Sequence, residues 1–171
     1  MEIPSFRASA MGSAGQTEKQ FAQKAGLQPV PYHAVCVEQD VEAAAAEIGF
    51  PSILKSNTLG YDGKGQYVVN DLAGLKAAYD TAGKVECILE KRVDIACEIS
   101  AIVARNTEGD IAAFPVSENQ HRNGILHMSI VPARVDESLS TQAMEWASIL
   151  ADAMCYVGVL AVEFFVTTKD T

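Results

Sequence analysis

The run Ile53-Leu54-Lys55-Ser56-Asn57-Thr58-Leu59-Gly60-Tyr61-Asp62-Gly63-Lys64-Gly65-Gln66 decides how this chain is read. Apolar residues after Pro51 predict a strand that delivers Lys55 at its end, and residues 67–69 predict a returning strand. Between them the glycines at 60, 63 and 65 predict a loop of bare backbone. A cation at a strand end, followed by unobstructed N–H groups, suits one phosphate chain. The loop is not of the Walker A type, because no Ser or Thr follows Lys64 and no helix follows the loop. Nor does it spell G-x-G-x-x-G. On glycine content alone a flexible hairpin loop is the better reading.

Working outward, the flanks are regular. Thr17 predicts the cap of a helix through Ala25, which Gly26 ends, and Pro29 and Pro31 then force extended chain. Asp40 opens a second helix over VEAAAAEI, with Gly49 as its left-handed cap. Asp71 caps a third helix running to about Thr81, and a strand over 87–91 follows. This order of helices and strands suits a small α+β lobe. Beyond it, strands over 98–105 and 111–116 flank a turn at Asn106-Thr107-Glu108-Gly109-Asp110, and a third covers 125–134. Ser138 or Ser140 starts a helix to about Met154, with Ala143, Trp146, Ala147, Leu150 and Ala151 at helical spacing. Residues 157–167 form a long apolar strand whose one charge is Glu163. The first fifteen residues lack periodicity and read as a tag or cloning leader outside the fold. The last residues read as a strand entering a turn without its return strand, an edge that would need covering.

Composition excludes several classes. With 171 residues, 49% of them hydrophobic, the chain can bury the core of one compact domain or two small lobes. Acids outnumber Lys and Arg by 22 to 13, a net charge of −9, which argues against nucleic acid or an anionic membrane as partner. No apolar run approaches the ~20 residues that span a bilayer. Cys36, Cys87, Cys97 and Cys155 are scattered without a C-x-x-C pair, so buried thiols in a reducing, cytoplasmic setting are expected rather than zinc or disulfides. No G-x-S-x-G or Cys–His signature marks a nucleophile.

Three glutamates stand out. Glu90 ends one apolar strand, Glu98 opens the next, and Glu163 interrupts VLAVEFFV. A carboxylate there is costly unless paired or bound to a cation, so an ion pair and Mg²⁺ coordination are both open for Glu163. Alternation would put it on one face with Ala161 and Phe165. Glu90 could hydrogen-bond within its sheet or face a ligand. The polar run Ser117-Glu118-Asn119-Gln120-His121-Arg122 reads as a solvated loop closing a strand. Beside phosphate chemistry, His121 and Arg122 could contact nucleotide or substrate anions. His33 and His127 read as ordinary residues.

The run over residues 53–66 closely resembles the N5-carboxyaminoimidazole ribonucleotide synthetases, ATP-grasp ligases of bacterial purine biosynthesis also called the ATPase subunit of phosphoribosylaminoimidazole carboxylase. The resemblance continues through Ile88-Leu89-Glu90, Glu98-Ile99-Ser100, Ala104-Arg105, Phe114-Pro115-Val116, Glu118-Asn119, His121, Gly124-Ile125-Leu126 and Tyr156-Val157-Gly158-Val159, and ends at Val162-Glu163-Phe164-Phe165. It implies an α+β ATP-grasp fold, with residues 16–93 as entry helix and small lobe and 94–171 as the first part of the large lobe. Lys55 would bind the ATP phosphates under a lid formed by Gly60, Tyr61, Asp62, Gly63, Lys64, Gly65 and Gln66. Glu90, Lys91, Arg92 and Val93 would form the adenine linker, Glu98 would take the ribose hydroxyls, His121 would join the nucleotide site, and Glu163 would hold Mg²⁺. Lys64 and Arg122 stand as candidate catalytic residues. The implied reaction carboxylates 5-aminoimidazole ribonucleotide with bicarbonate, cleaving ATP to ADP and phosphate through carboxyphosphate, in an enzyme expected to be a homodimer.

Departures from the family pattern are plain. The N-terminal domain and the Asp-Arg pair before the first helix have no counterpart, Gly15 standing where the Arg would align. The Asn-Glu metal ligands and the Ser-Gly-His substrate motif that follow Glu163 in the family have none either. The sequence therefore reads as an ATP-grasp fragment, expected to be inactive alone. Alternatively, it is a non-catalytic nucleotide-binding module derived from such an enzyme. A biotin carboxylase relative is disfavoured by the Y-D-G-K-G-Q loop together with E-N-x-H.

Overall fold

The computed structural model describes residues 6–8, 15–27, 29–56, 65–122 and 125–168. Along the chain these form β1 (Phe6–Ala8), α1 (Gly15–Lys24), β2 (Tyr32–Val35), α2 (Asp40–Ile48), β3 (Ser52–Ser56), β4 (Gln66–Val69), α3 (Leu72–Thr81) and β5 (Cys87–Lys91). There follow β6 (Ile95–Arg105), β7 (Ile111–Ala113), β8 (Ser117–Arg122), β9 (Ile125–Ile130), α4 (Glu137–Ala153) and β10 (Gly158–Thr167). They gather into two compact units divided between Val93 and Asp94, with the stretch from Glu18 to Pro29 joining the second.

The unit of residues 30–93 is an antiparallel sheet in the order β2-β5-β3-β4, with α2 and α3 over one face. Alternation along each strand decides what faces the helices. Val35, Leu54, Val69 and Leu89 point to them and form a buried core with Val41, Ala44, Ile48, Leu75 and Tyr79. The residues between, Ile53 and Lys55 on β3, Ile88 and Glu90 on β5, fall on the other face, where register sets Ile53 opposite Glu90 and Lys55 opposite Ile88. The Asp71 carboxylate accepts the Gly74 N–H at 2.7 Å, the expected cap of α3. Asp40 instead reaches backward, accepting the Cys36 and Val37 amides at 2.9 and 3.0 Å, and these bonds hold its carboxyl below the usual range. Gly49 has φ +68° but ψ −170°, so it ends α2 with a positive φ and not with the left-handed helical cap expected.

The second unit is a sheet in the order β1-β10-β6-β8-β9, with β7 also on β6. Ile99, Ala101, Val103, Leu160, Val162 and Phe164 alternate onto one face and meet Leu139, Ala143, Ala147, Leu150 and Ala151 of α4, with Ala22 of α1. The helical spacing read for α4 is thus its core stripe, and Trp146 packs on Phe164 at 6.1 Å between ring centroids. Asn106 Oδ1 closes the β6–β7 turn by accepting the Glu108 and Asp110 amides, both at 2.9 Å.

Three readings are revised. The polar run 117–122 is no solvated loop but an interior strand, with Ser117, Glu118 and Asn119 buried. It holds there because its polar groups are met. Arg134 grips the Glu118 carboxylate through one guanidinium edge, Nε donating to Oε2 at 2.9 Å and Nη2 to Oε1, and Asn119 bonds to Ser100 and Ser129. Phe6–Ala8, inside the stretch set aside as a leader, forms β1 and covers the middle of β10, pairing with Val162–Phe164. All four cysteines are free. Burial pushes the Cys87 thiol up to about 11, yet Cys36 and Cys155 are exposed, because they lie outside the strand interiors. Among the described residues, no helix is long and apolar enough to cross a membrane.

Candidate functional site

Each unit presents one polar constellation on the sheet face that its helices leave open. In the first, Lys55 Nζ donates to Glu90 Oε2 at 2.7 Å, a diagonal pair across β3 and β5. The Glu90 side chain is 8% exposed and that of Lys55 32%, so a buried carboxylate fixes an ammonium whose outer side remains accessible. That arrangement presents a positioned cation to an anionic ligand. Of the expected lid, Gly60, Tyr61, Asp62, Gly63 and Lys64 lie outside the described residues. Gly65 is described: its φ is +90°, its carbonyl accepts the Ser56 N–H at 2.9 Å, and a Cβ there would stand 2.3 Å from Ser56 Oγ. Only glycine fits that return into β4. Gln66 is exposed and sits opposite Lys55 in register. In the expected linker, the Lys91 amide donates to Pro31 and the Arg92 amide to Pro51, so neither amide is available to a base. Val93 closes this unit.

In the second unit, register aligns two rows across the open face. Glu163 of β10 opposes Ser100 of β6, which opposes Ser117 of β8; Phe165 opposes Glu98, which opposes Asn119, which opposes Ser129 of β9. Glu163 does share its face with Ala161 and Phe165. His121, two residues beyond Asn119, brings Nδ1 to 3.0 Å from Glu98 Oε2, a charge contact outside hydrogen-bonding alignment. Burial, with a smaller contribution from the nearby Glu163 carboxylate, pushes the Glu98 carboxyl above its ordinary range, while His121 opposes the shift. Arg122 is not brought together with these groups. Strand alternation turns it toward the Glu118 face, away from His121.

Ser100, Asn119 and Ser129 were not singled out from sequence. The available signal was a period of two: Ser117, Asn119 and His121 alternate as Glu98 and Ser100 do, which marks strands sharing a polar face. Among the described residues no cluster of three or more His, Cys, Asp or Glu forms a closed metal site. The Glu163 carboxylate is a hard oxygen donor whose charge acts on the neighbouring Glu98, and a hard cation at Glu163 relieves that repulsion, so Glu163 fits Mg²⁺ as one member of a ligand set.

A raised carboxyl pKa costs stability when ionised. The folded state then binds its proton more tightly than the unfolded chain. Stability from Glu98 is fully present below the ordinary Glu range and is lost as pH rises through the folded value. Glu98→Gln is therefore expected to raise Tm at pH 7, with the difference vanishing below about pH 4. Thermal melts across that range check it; a Tm lowered at pH 7 contradicts it.

The profile of the ATP-grasp domain family matches residues 20–171, and the chain belongs to that family. Among curated proteins it is similar to the N5-carboxyaminoimidazole ribonucleotide synthase of Bacillus subtilis, 42% identical over 152 residues, which is 89% of this chain and 40% of that protein. A crystal structure of an N5-carboxyaminoimidazole ribonucleotide synthetase in its ADP complex superposes with a TM-score of 0.83 at 47% identity, over 90% of this chain and 41% of that one. A biotin carboxylase from Campylobacter jejuni in its β-γ-ATP complex superposes nearly as well, TM-score 0.82 over 90% of this chain and 37% of that one, but at 26% identity. The chain spans about two fifths of the length of the relatives it matches. The resemblance carried by residues 53–66 is borne out, as is the α+β ATP-grasp fold.

Proposed function

We propose that this chain provides the nucleotide-binding part of an ATP-dependent ligase that carboxylates 5-aminoimidazole ribonucleotide with bicarbonate, cleaving ATP to ADP and phosphate by way of carboxyphosphate. One observation carries the substrate assignment. Two relatives of comparable structural likeness differ sharply in sequence likeness, 47% identity to the aminoimidazole synthetase against 26% to the biotin carboxylase. Lys55 binds the phosphates of ATP, with Glu90 holding its ammonium in place. The glycine-rich stretch 60–66 with Lys64 resembles the phosphate-binding loop of the synthetases, and its part in the reading is to add phosphate contacts and keep water from a labile acyl phosphate. Glu98 takes the ribose hydroxyls with His121 beside it, and Glu163 is one ligand of Mg²⁺, which supplies charge neutralisation at the phosphates when bound. Arg122, on the opposite strand face, is the weakest member of the candidate catalytic set.

A segment exchange tests the reading. Residues 20–171 are placed in the Bacillus subtilis synthase in exchange for the matching 152-residue segment. The hybrid is expected to release ADP only when bicarbonate and 5-aminoimidazole ribonucleotide are both present. A folded hybrid that binds ADP but turns over nothing supports the non-catalytic module instead.

A further inference from the structure

Ser100 is the one residue of β6 that stands directly opposite Glu163 and diagonal to Asn119. It is 8% exposed, as is Asn119. The hydrogen bonds around it have a direction. Ser129 Oγ donates to Asn119 Oδ1 at 2.8 Å, which leaves the Asn119 amide nitrogen to donate to Ser100 Oγ. Ser100 Oγ is thereby used as an acceptor, and its own proton must point elsewhere. Among the described residues Ser100 Oγ donates no hydrogen bond, and the groups that flank it on the face, Glu98 and Glu163, are carboxylates that repel a polyanion. A face meant to hold a polyanion with two carboxylates needs donors among them.

We infer that Ser100 is a further nucleotide-binding residue, its hydroxyl donating to a phosphate oxygen held beside Glu98 and Glu163. Asn119 and Ser129 are positioning residues that fix the direction of that donation. The relay runs Ser129 to Asn119 to Ser100 to ligand, with Asn119 and Ser100 each receiving one hydrogen bond and giving one. This inference rests on the nucleotide reading of the same face.

The test is titration of the full chain and three variants with Mg-ADP, alongside thermal melts. Ser100→Ala removes the donor with little change of shape, and is expected to weaken binding about tenfold, the worth of one hydrogen bond to a charged oxygen. Ser100→Thr keeps the hydroxyl and is expected to bind within about twofold of the unaltered chain. Ser129→Ala removes the head of the relay and is expected to fall between the two. Ser100→Ala binding as tightly as the unaltered chain overturns the inference while leaving the nucleotide site standing. So does a loss in Ser100→Ala that Ser100→Thr fails to restore. An unaltered chain that takes up no Mg-ADP overturns the nucleotide reading, and this inference with it.

Discussion

Lys55→Ala is expected to weaken Mg-ATP binding by about 10- to 100-fold, the loss of one charge-assisted contact to phosphate worth about 1.5–3 kcal/mol. The effect has two parts that a second variant separates. Removing the ammonium takes from the buried Glu90 carboxylate the cation lying 2.7 Å away, so Lys55→Ala also lowers Tm. Lys55→Ala combined with Glu90→Gln removes both charges, and is expected to recover much of the lost stability without recovering affinity. Titration calorimetry beside thermal melts reads both quantities. If the double variant regains affinity with its stability, Lys55 acts through the fold and does not touch the nucleotide.

Phe164→Ala carries the largest expected cost in stability. The ring is 1% exposed and packs on Trp146 of α4 from the centre of β10. Truncating such a side chain costs about 3–5 kcal/mol, the lost transfer term plus the cavity left behind. Against the usual 5–15 kcal/mol of a folded domain this is a large fraction. The chain has one tryptophan, and it is the ring that Phe164 touches. Urea titration followed by Trp146 fluorescence therefore reports on this contact directly. The expected result is a transition at much lower urea with little change in slope. A midpoint close to that of the unaltered chain contradicts the placement of Phe164 at the core.

The helices were legible because each carries its own punctuation. Asp71 with Gly74 marks α3, and the spacing of Ala143, Ala147, Leu150 and Ala151 marks the buried stripe of α4. β5 and β10 were legible as nearly continuous apolar runs, the one short and the other long. Strand β8 was not, since six polar residues in sequence look solvated until their partners are known. Glu118 is buried by Arg134, sixteen residues away, and Asn119 by Ser100, nineteen residues away. Such burial is set by tertiary pairing, which local composition does not carry. The candidate site was legible in the same uneven way. Lys55, Glu90, Glu98, His121 and Glu163 announced themselves as charges at strand ends or within apolar runs. Ser100 and Asn119 are small polar residues whose significance appears only when three strands lie side by side. β1 was missed because three residues show no period, and its pairing depends wholly on β10.

The most direct measurement is calorimetric titration of the unaltered chain with Mg-ATP. Saturable uptake of one nucleotide per chain is expected, with a rise in Tm that grows with the logarithm of ligand concentration. Absence of both heat and Tm shift at nucleotide concentrations of about 1 mM, in the range where typical nucleotide enzymes saturate, would contradict it.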